Sequence, residues 1–335
     1  VGRLDLRFPL DLLVRDVNAV EPNTNDTLLS LERLKVELRL WKLLKKEVEI
    51  EEISIRNATF DTRDFIDGVV VNGHLGELYL ESHGVVFSPE TARINEFSVK
   101  NTDVSLTLEN MEDTDTTTTE PIYWKILLDE IDFENVGFAL NMPQDSLFVR
   151  TMLPKTTLKD GVIDLKEASY YVKSFEMDNA ELAYGPKEEL SLKKIGLQLD
   201  SIYYCGRDIR ANIEEFVFKE RSGLELVSTE GRIASDSVLI QIPKFTMKTT
   251  ASSLDLQTKI GWDVLEMKKT GVLSAKINAE IGKGDVAKIL GGRDTLFLQT
   301  YPNKPFVFRV DAEGDLKRLR LRTLEAGLAK AFELK

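Results

Sequence analysis

The sequence predicts an all-β fold: an elongated antiparallel sheet that curls, accompanied by two or three short helices. Three observations predict it. Apolar and polar residues alternate with a period of two through most of the chain (LDLRFPLDL, VEIEEISI, VSLTLEN, SLDLQTKI, FVFRVDA), which is the pattern of strands with one wet face. A bent version of that alternation recurs along the chain. Helical periodicity is confined to three short stretches.

The bent pattern is an apolar residue, two others, Ile or Phe, one other, a second apolar residue and often Asn two positions on. It reads IEEISIRN (Ile50–Asn57), INEFSVKN (Ile94–Asn101), LDEIDFEN (Leu128–Asn135) and VKSFEMDN (Val172–Asn179). It returns without the Asn as IEEFVFKE from Ile213 and IPKFTMKT from Ile242, with shorter echoes LERLKV, LGELYL, LKKIGL and LKRLRL. The intervals are irregular, so this is not a fixed-period solenoid. Positions four and six share a face, but position one is out of phase with them and stays on that face only if the strand bends or bulges in between. Asn at position eight suits a corner, because it tolerates the left-handed region. After it the apolar phase restarts at Phe60, Val104, Phe138 and Leu182. Each copy therefore reads as strand, corner, strand.

The other elements follow in order. LWKLLKKE (Leu40–Glu47) makes a short helix with Trp41 and Leu44 on one side. MEDTDTTTTEP is acidic, threonine-rich and closed by proline, and reads as a loop. It divides the chain into a segment 1–110, the loop 111–121 and a segment 122–335. GDVAKILGG (Gly284–Gly292) is a second helix, with Asp285 expected as its N-cap and the glycines as its stop. TLEAGLAKAFEL, with Leu324, Leu328, Ala331 and Phe332 on one stripe, is expected to be a third.

A net charge of -12 argues against a nucleic-acid partner, whose backbone calls for a basic face. It equally disfavours adhesion to an anionic membrane through bulk charge. The single cysteine, Cys205, cannot form an internal disulfide and is expected to be a buried structural thiol. No run of 18 apolar residues exists, and the start in mid-alternation is expected of a piece of a longer chain. His74 and His83 lack partners at metal spacing and read as solvated turn histidines. GKGD (Gly282–Asp285) lacks the frame of a phosphate loop. In LKRLRLRTL, Leu319 and Leu321 face away from Arg318, Arg320 and Arg322, which could meet phosphate head groups but read better as an ordinary solvated outer face. No catalytic constellation emerges, so the expectation is a non-enzyme with no cofactor and no metal.

Several stretches resemble AsmA-like proteins, in particular the Bacteroidetes form of TamB, a subunit of the translocation and assembly module. They are FPL followed by DV, the run NDTLLSLERLKVEL, the W-K-L-L helix and the strand I-x-x-I-x-I-x-N after it. Further on, TTASSLDLQTKI, GDVAKIL and YPNKPFVFRVDAEGDLKRLRLRTLEA fit the same family in the same order. The resemblance spans nearly the whole chain, without the family's anchor helix or its C-terminal domain. It implies a β-groove with an apolar inner surface, periplasmic, in a full-length protein anchored to the inner membrane. It also implies an acyl lipid such as a phospholipid as cargo between inner and outer membranes. An apolar groove suits such cargo, because each methylene kept out of water is worth ~0.8 kcal/mol.

The expected groove lining is Ile53, Ile55, Phe97, Val99, Ile131, Phe133, Phe175, Met177, Phe216, Phe218, Phe245 and Met247. Taken alone, the residues leave a second reading open, in which these side chains are the sealed core of a β-sandwich; the resemblance favours the open groove. A second function also stays open: a scaffold that pairs an exposed sheet edge with outer-membrane strands or with a BamA/TamA-like β-barrel partner.

Overall fold

The computed structural model describes residues 2–8, 11–21, 26–43, 49–62, 68–87, 90–109, 123–266, 271–291, 293, 295–315 and 320–326. The fold is all-β, as the alternation predicts. It forms two compact units, Val1–Ser191 and Leu192–Lys335. The dividing point carries no shift in composition, and the loop expected at 111–121 lies outside the described residues.

The first unit holds β1 (Arg3–Arg7), β2 (Asp11–Val20), β3 (Thr27–Leu38), β4 (Ile50–Asp61), β5 (Val69–Phe87), β6 (Glu90–Leu108), β7 (Lys125–Met142), β8 (Leu147–Asp164) and β9 (Ser169–Tyr184). Each strand pairs with the next in antiparallel register, except that β6 and β7 are parallel. The second unit runs from β10 (Leu190–Cys205), whose first two residues belong to the first unit, through β11 (Asp208–Glu220), β12 (Glu225–Ser235), β13 (Leu239–Thr249), β14 (Ser253–Gly261), β15 (Val272–Ile281) and β16 (Phe306–Asp315) to β17 (Arg320–Ala326). Each of these strands pairs with the next in antiparallel register.

The recurring pattern is the bending device. Asn57, Asn101, Asn135 and Asn179, its eighth positions, all have φ between 48° and 54°, so the strand turns a corner without ending. Cross-strand register lines these corners up. Asp16 (φ 52°) on β2, Glu32, Asn57, Gly76, Asn101, Asn135 and Pro154 fall between matched pairs on successive strands, and Asn179 continues the line on β9. The result is a crease running across the sheet. Gly76 is required there, because a Cβ would lie 2.5 Å from the Asn101 carbonyl oxygen. Side-chain amides continue the line: Asn135 Nδ2 donates to Asn101 Oδ1 at 3.3 Å, and Asn57 Nδ2 donates to Glu32.

The out-of-phase first position is explained by a second irregularity. Glu51 on β4 and Asn95 on β6 are extra residues in the ladder, so Ile50 and Ile94 bulge back into phase. Glu214 on β11 and the Pro243–Lys244 step on β13 do the same for Ile213 and Ile242. On β8, Asp160 with φ 51° sits between Asp129 and Lys173. Asn95, Asp129, Asp160 and Lys173 thus mark a second crease, six residues from the first, a separation of about 20 Å. Asn95 Nδ2 donates to Asp129 at 3.0 Å and Lys173 pairs with Asp160 at 2.8 Å along it.

Chain connectivity demands the same curvature. β6 is 19 residues long and would measure about 60 Å if straight. The chain leaves its far end at Glu109 and returns to Tyr123, whose N–H is bonded to Glu90 at its near end (3.1 Å). The fourteen residue steps between them reach at most about 50 Å. A straight β6 is therefore excluded.

The helices differ in detail from expectation. α1 (Leu40–Leu43) is shorter than the stretch Leu40–Glu47, of which residues 44–47 lie outside the described residues, and Trp41 is exposed. α2 (Trp262–Leu265) and α4 (Thr295–Thr300) had no sequence signal. α3 (Lys283–Leu290) is present and stops at Gly291 in the left-handed region, but its N-cap is Gly282, not Asp285. The expected C-terminal helix is corrected at its start: residues 323–326 belong to β17, which pairs with β16 and extends the sheet. Residues 327–335 lie outside the described residues.

Candidate functional site

In the first unit a panel of the sheet lies to one side of the first crease, bounded on β6–β9 by the second. Register fixes which side chains share its face. One row runs Leu6, Leu12, Val36, Ile53, Leu80, Phe97, Ile131, Leu158, Phe175. The next runs Leu4, Val14, Leu34, Ile55, Leu78, Val99, Phe133, Thr156, Met177. Two apolar rows across nine strands make a strip about 40 Å long, interrupted once, at Thr156. The Phe97 and Phe133 rings meet edge to face, 6.3 Å apart.

The second unit has a shorter strip. Its rows are Gly231, Phe245, Leu256, Ile277, Val310 and Thr229, Met247, Leu254, Ala279, Phe308. Gly231 is a close approach: a Cβ there would lie 2.6 Å from Phe245 Cδ2, so the ring lies over bare backbone. Phe216 and Phe218 on β11 pack at 5.4 Å, and Phe216 lies opposite Leu197.

These side chains are not sealed in. Of the twelve expected lining residues only Val99 is buried, at 7 % exposure; Ile53, Ile55, Phe97, Ile131, Phe133, Phe175, Met177, Phe216, Phe218, Phe245 and Met247 are half-buried. Among the described residues no large side chain falls below 2 % exposure. A close-packed sandwich interior would contain several. At β1 both rows end in open solvent, with Leu4 64 % and Leu6 72 % exposed. Two buried hydroxyls, Thr156 and Thr229, sit in the strips without a hydrogen-bond partner.

The opposite face of the first panel is polar and cross-linked. Lys35 Nζ bonds Glu52 (2.8 Å) and Glu37 (2.9 Å). The bond to Glu52 outweighs partial burial and holds the ammonium above its usual value. Tyr79 donates to Glu81 (3.1 Å), and burial followed by that carboxylate pushes its hydroxyl up to about 12.

The polar residues singled out in the sequence are scattered. His74 and His83 lie on β5 rather than in turns, exposed, beside Thr59 and Asn95. Cys205 ends β10 half-buried rather than buried. Arg320 and Arg322 are exposed on β17, where Arg322 bonds Glu313; Arg318 and Leu319 lie outside the described residues. Among the described residues no three His, Cys, Asp or Glu side chains converge as metal ligands. A depression of about 480 Å³ on β14–β16 is lined by the polar residues Asp255, Gln257, Lys276, Asn278, Arg309 and Asp311 together with Ile277 and Val310 of the apolar strip.

Sequence reasoning missed the role of Asp285. Its carboxylate, 3 % exposed, accepts from Ser252 Oγ (2.6 Å), Thr250 Oγ1 (3.2 Å), the Ala251 N–H (3.3 Å) and Thr249 Oγ1. Burial pushes its pKa up, but these donors together outweigh that and hold the carboxyl below its usual value. The TTASS turn between β13 and β14 thereby clasps the first turn of α3. The signal was present as the clustered hydroxyls of TTASS.

The sequence matches no protein-family model and no curated protein.

Proposed function

We propose that the two apolar strips bind acyl chains and that this chain is a non-enzymatic, periplasmic segment of an outer-membrane biogenesis protein of the TamB type. In that role it would pass phospholipids between the inner and outer membranes. The observation that carries the proposal is the partial exposure of Phe97, Ile131, Phe133, Phe175 and Met177 along one continuous face. Contiguous apolar surface on this scale marks a binding surface rather than ordinary exterior. An acyl chain laid across the strands would cover the strip, and each methylene transferred from water contributes about 0.8 kcal/mol. The crease pattern also accords with the family resemblance carried by the I-x-x-I-x-I-x-N strands.

The test is native mass spectrometry after incubation with a membrane lipid extract. Wild type is expected to retain phospholipid, and the double variant Phe97→Asp/Phe133→Asp to lose most of it. A wild-type protein that emerges lipid-free overturns the proposal.

One observation favours the second role, pairing with a β-barrel partner. Leu4 and Leu6 leave the apolar rows uncovered at β1, where an added strand would continue them. Proline substitution in β1 would then abolish binding of outer-membrane peptides that Phe133→Asp leaves intact.

A further inference from the structure

The polar face of the first unit carries an arrangement that acyl binding leaves unused. Register places Arg3, Arg15, Arg33 and Arg56 directly opposite one another on β1, β2, β3 and β4. Directly opposed residues have Cβ atoms about 5 Å apart, and like charges so placed repel. The chain carries 56 Asp and Glu against 44 Lys and Arg, so four arginines side by side go against the overall balance.

The outer two are paired. Arg3 Nε is 2.8 Å from Asp5, and Arg56 Nε is 3.1 Å from Glu77. The inner two are not. Arg15 and Arg33 are half-buried, their Nε atoms are shut off from solvent without an acceptor, and among the described residues neither makes an ion pair. Of the nearby carboxylates, Glu37 and Glu52 are committed to Lys35, Glu49 and Glu51 to Arg39, and Glu32 to Asn57, while Asp11, four residues from Arg15 on β2, has a buried Oδ1 without a partner. Asp16, beside Arg15 on the crease, is exposed and pairs with neither arginine.

The geometry points to an oxyanion site on this face, in which Arg15 and Arg33 clamp one phosphate group between adjacent strands, with Arg3 and Arg56 flanking it. Guanidinium donors come in a planar fork that matches phosphate oxygens two at a time. Two such forks on neighbouring strands can reach one tetrahedral anion from both sides. A bound phosphate also relieves the repulsion between the two unpaired cations. The chemistry fits both a soluble phosphate and the phosphate of a lipid headgroup. The site lies on the face opposite the apolar strip, so it does not depend on what that strip carries.

Thermal unfolding of the full chain in phosphate, against chloride at matched ionic strength, tests the site. Wild type is expected to gain several degrees with a saturable dependence on phosphate. Arg15→Gln/Arg33→Gln should fold at least as stably as wild type in chloride and lose the phosphate response at least tenfold. Arg33→Lys should retain part of it. Arg93→Gln, which removes an arginine paired with Asp129 (3.4 Å), should leave it unchanged. Flotation with phosphatidylglycerol vesicles, compared with phosphatidylcholine, distinguishes the sources. Flotation with phosphatidylglycerol vesicles lost in Arg15→Gln/Arg33→Gln assigns the site to headgroups, and phosphate binding without flotation assigns it to a soluble ligand. An equal phosphate response in wild type and Arg15→Gln/Arg33→Gln, or none in wild type, overturns the inference.

Discussion

Among the described residues, the first unit bends its strands with left-handed corners as well as bulges, whereas the second unit keeps such corners only on β10, at Lys194 and Ser201, and its later strands bend by bulges alone. In the first, the long strands β5–β9 run 16 to 19 residues, and the crease is made by residues held in the left-handed region. In the second, the strands from β11 to β16 run 9 to 13 residues. Among the described non-glycine residues after Ser201, none has positive φ. Curvature there comes from extra residues in the ladder at Glu214 and Pro243–Lys244. A left-handed corner gives a sharp fold, made in one line by Asp16, Asn57, Asn101, Asn135 and Asn179. A bulge needs no match across the next ladder and suits shorter strands. The same apolar-x-x-apolar-x-apolar step therefore supports two geometries, and the Asn at its eighth position tells them apart.

The largest expected effect falls on the second unit, where one buried carboxylate ties the TTASS turn to α3. Asp285→Ala strips the buried acceptor from the TTASS turn and leaves three hydroxyls and an N–H short of a partner. A loss of about 3 kcal/mol follows from unpaired buried polar groups of this kind. Hydrogen exchange should quicken in β13, β14 and α3 while the creased strands β6 and β7 keep their protection. Equal loosening of both units would mean that the clasp is not local. The carboxyl is held below its usual value, so its contribution is complete above the unfolded-chain pKa of about 3.9 and is lost as pH falls through the lower folded value. The stability gap between wild type and Asp285→Asn should therefore be constant from pH 7 to pH 5 and narrow only below about pH 4.

The corners come next. Asn101→Val puts a β-branched residue at φ 50° and is expected to cost about 1–2 kcal/mol, measured by urea denaturation. Asn101→Gly should be close to neutral. Glu214→Val, at an exposed bulge residue of the second unit, should change stability by less than about 0.5 kcal/mol. If Asn101→Val and Glu214→Val prove equally mild, the distinction between creased and bulged strands fails.

Much of this was legible because it rests on local rules. The step from Ile94 to Phe97 cannot stay in phase without a bulge, and Asn101 is among the few residue types that turn a corner in mid-strand. The rows on one face follow from alternation once register is known. Register itself was not legible across residues 109–124, because alternation says which face a residue takes but not which strand lies beside it. The parallel β6–β7 pair was invisible for that reason. Asp160, Lys194 and Ser201 adopt positive φ without the Asn signal. Asp285 was misplaced because an acidic residue near a helix start has two uses, capping its own helix or accepting from a distant turn. The arginine row needed three registers at once, since its members lie 12 to 23 residues apart along the chain.

A smaller change separates an open strip from a closed core. Phe133 is half-buried, with one edge-to-face neighbour in Phe97. Truncating a phenylalanine in a sealed interior costs about 3–5 kcal/mol. A ring that keeps part of its surface in water in the folded state gains only part of the transfer free energy, so Phe133→Ala should cost about 1 kcal/mol. The same substitution measured with an acyl ligand bound should cost more, because the ligand completes the burial of the ring and truncation then forfeits those contacts. Urea midpoints with and without a saturating fatty acid give both numbers. A loss near 4 kcal/mol without ligand would mean that the apolar face is closed over in solution, and the first unit would then be a conventional core bent at two lines rather than an open surface.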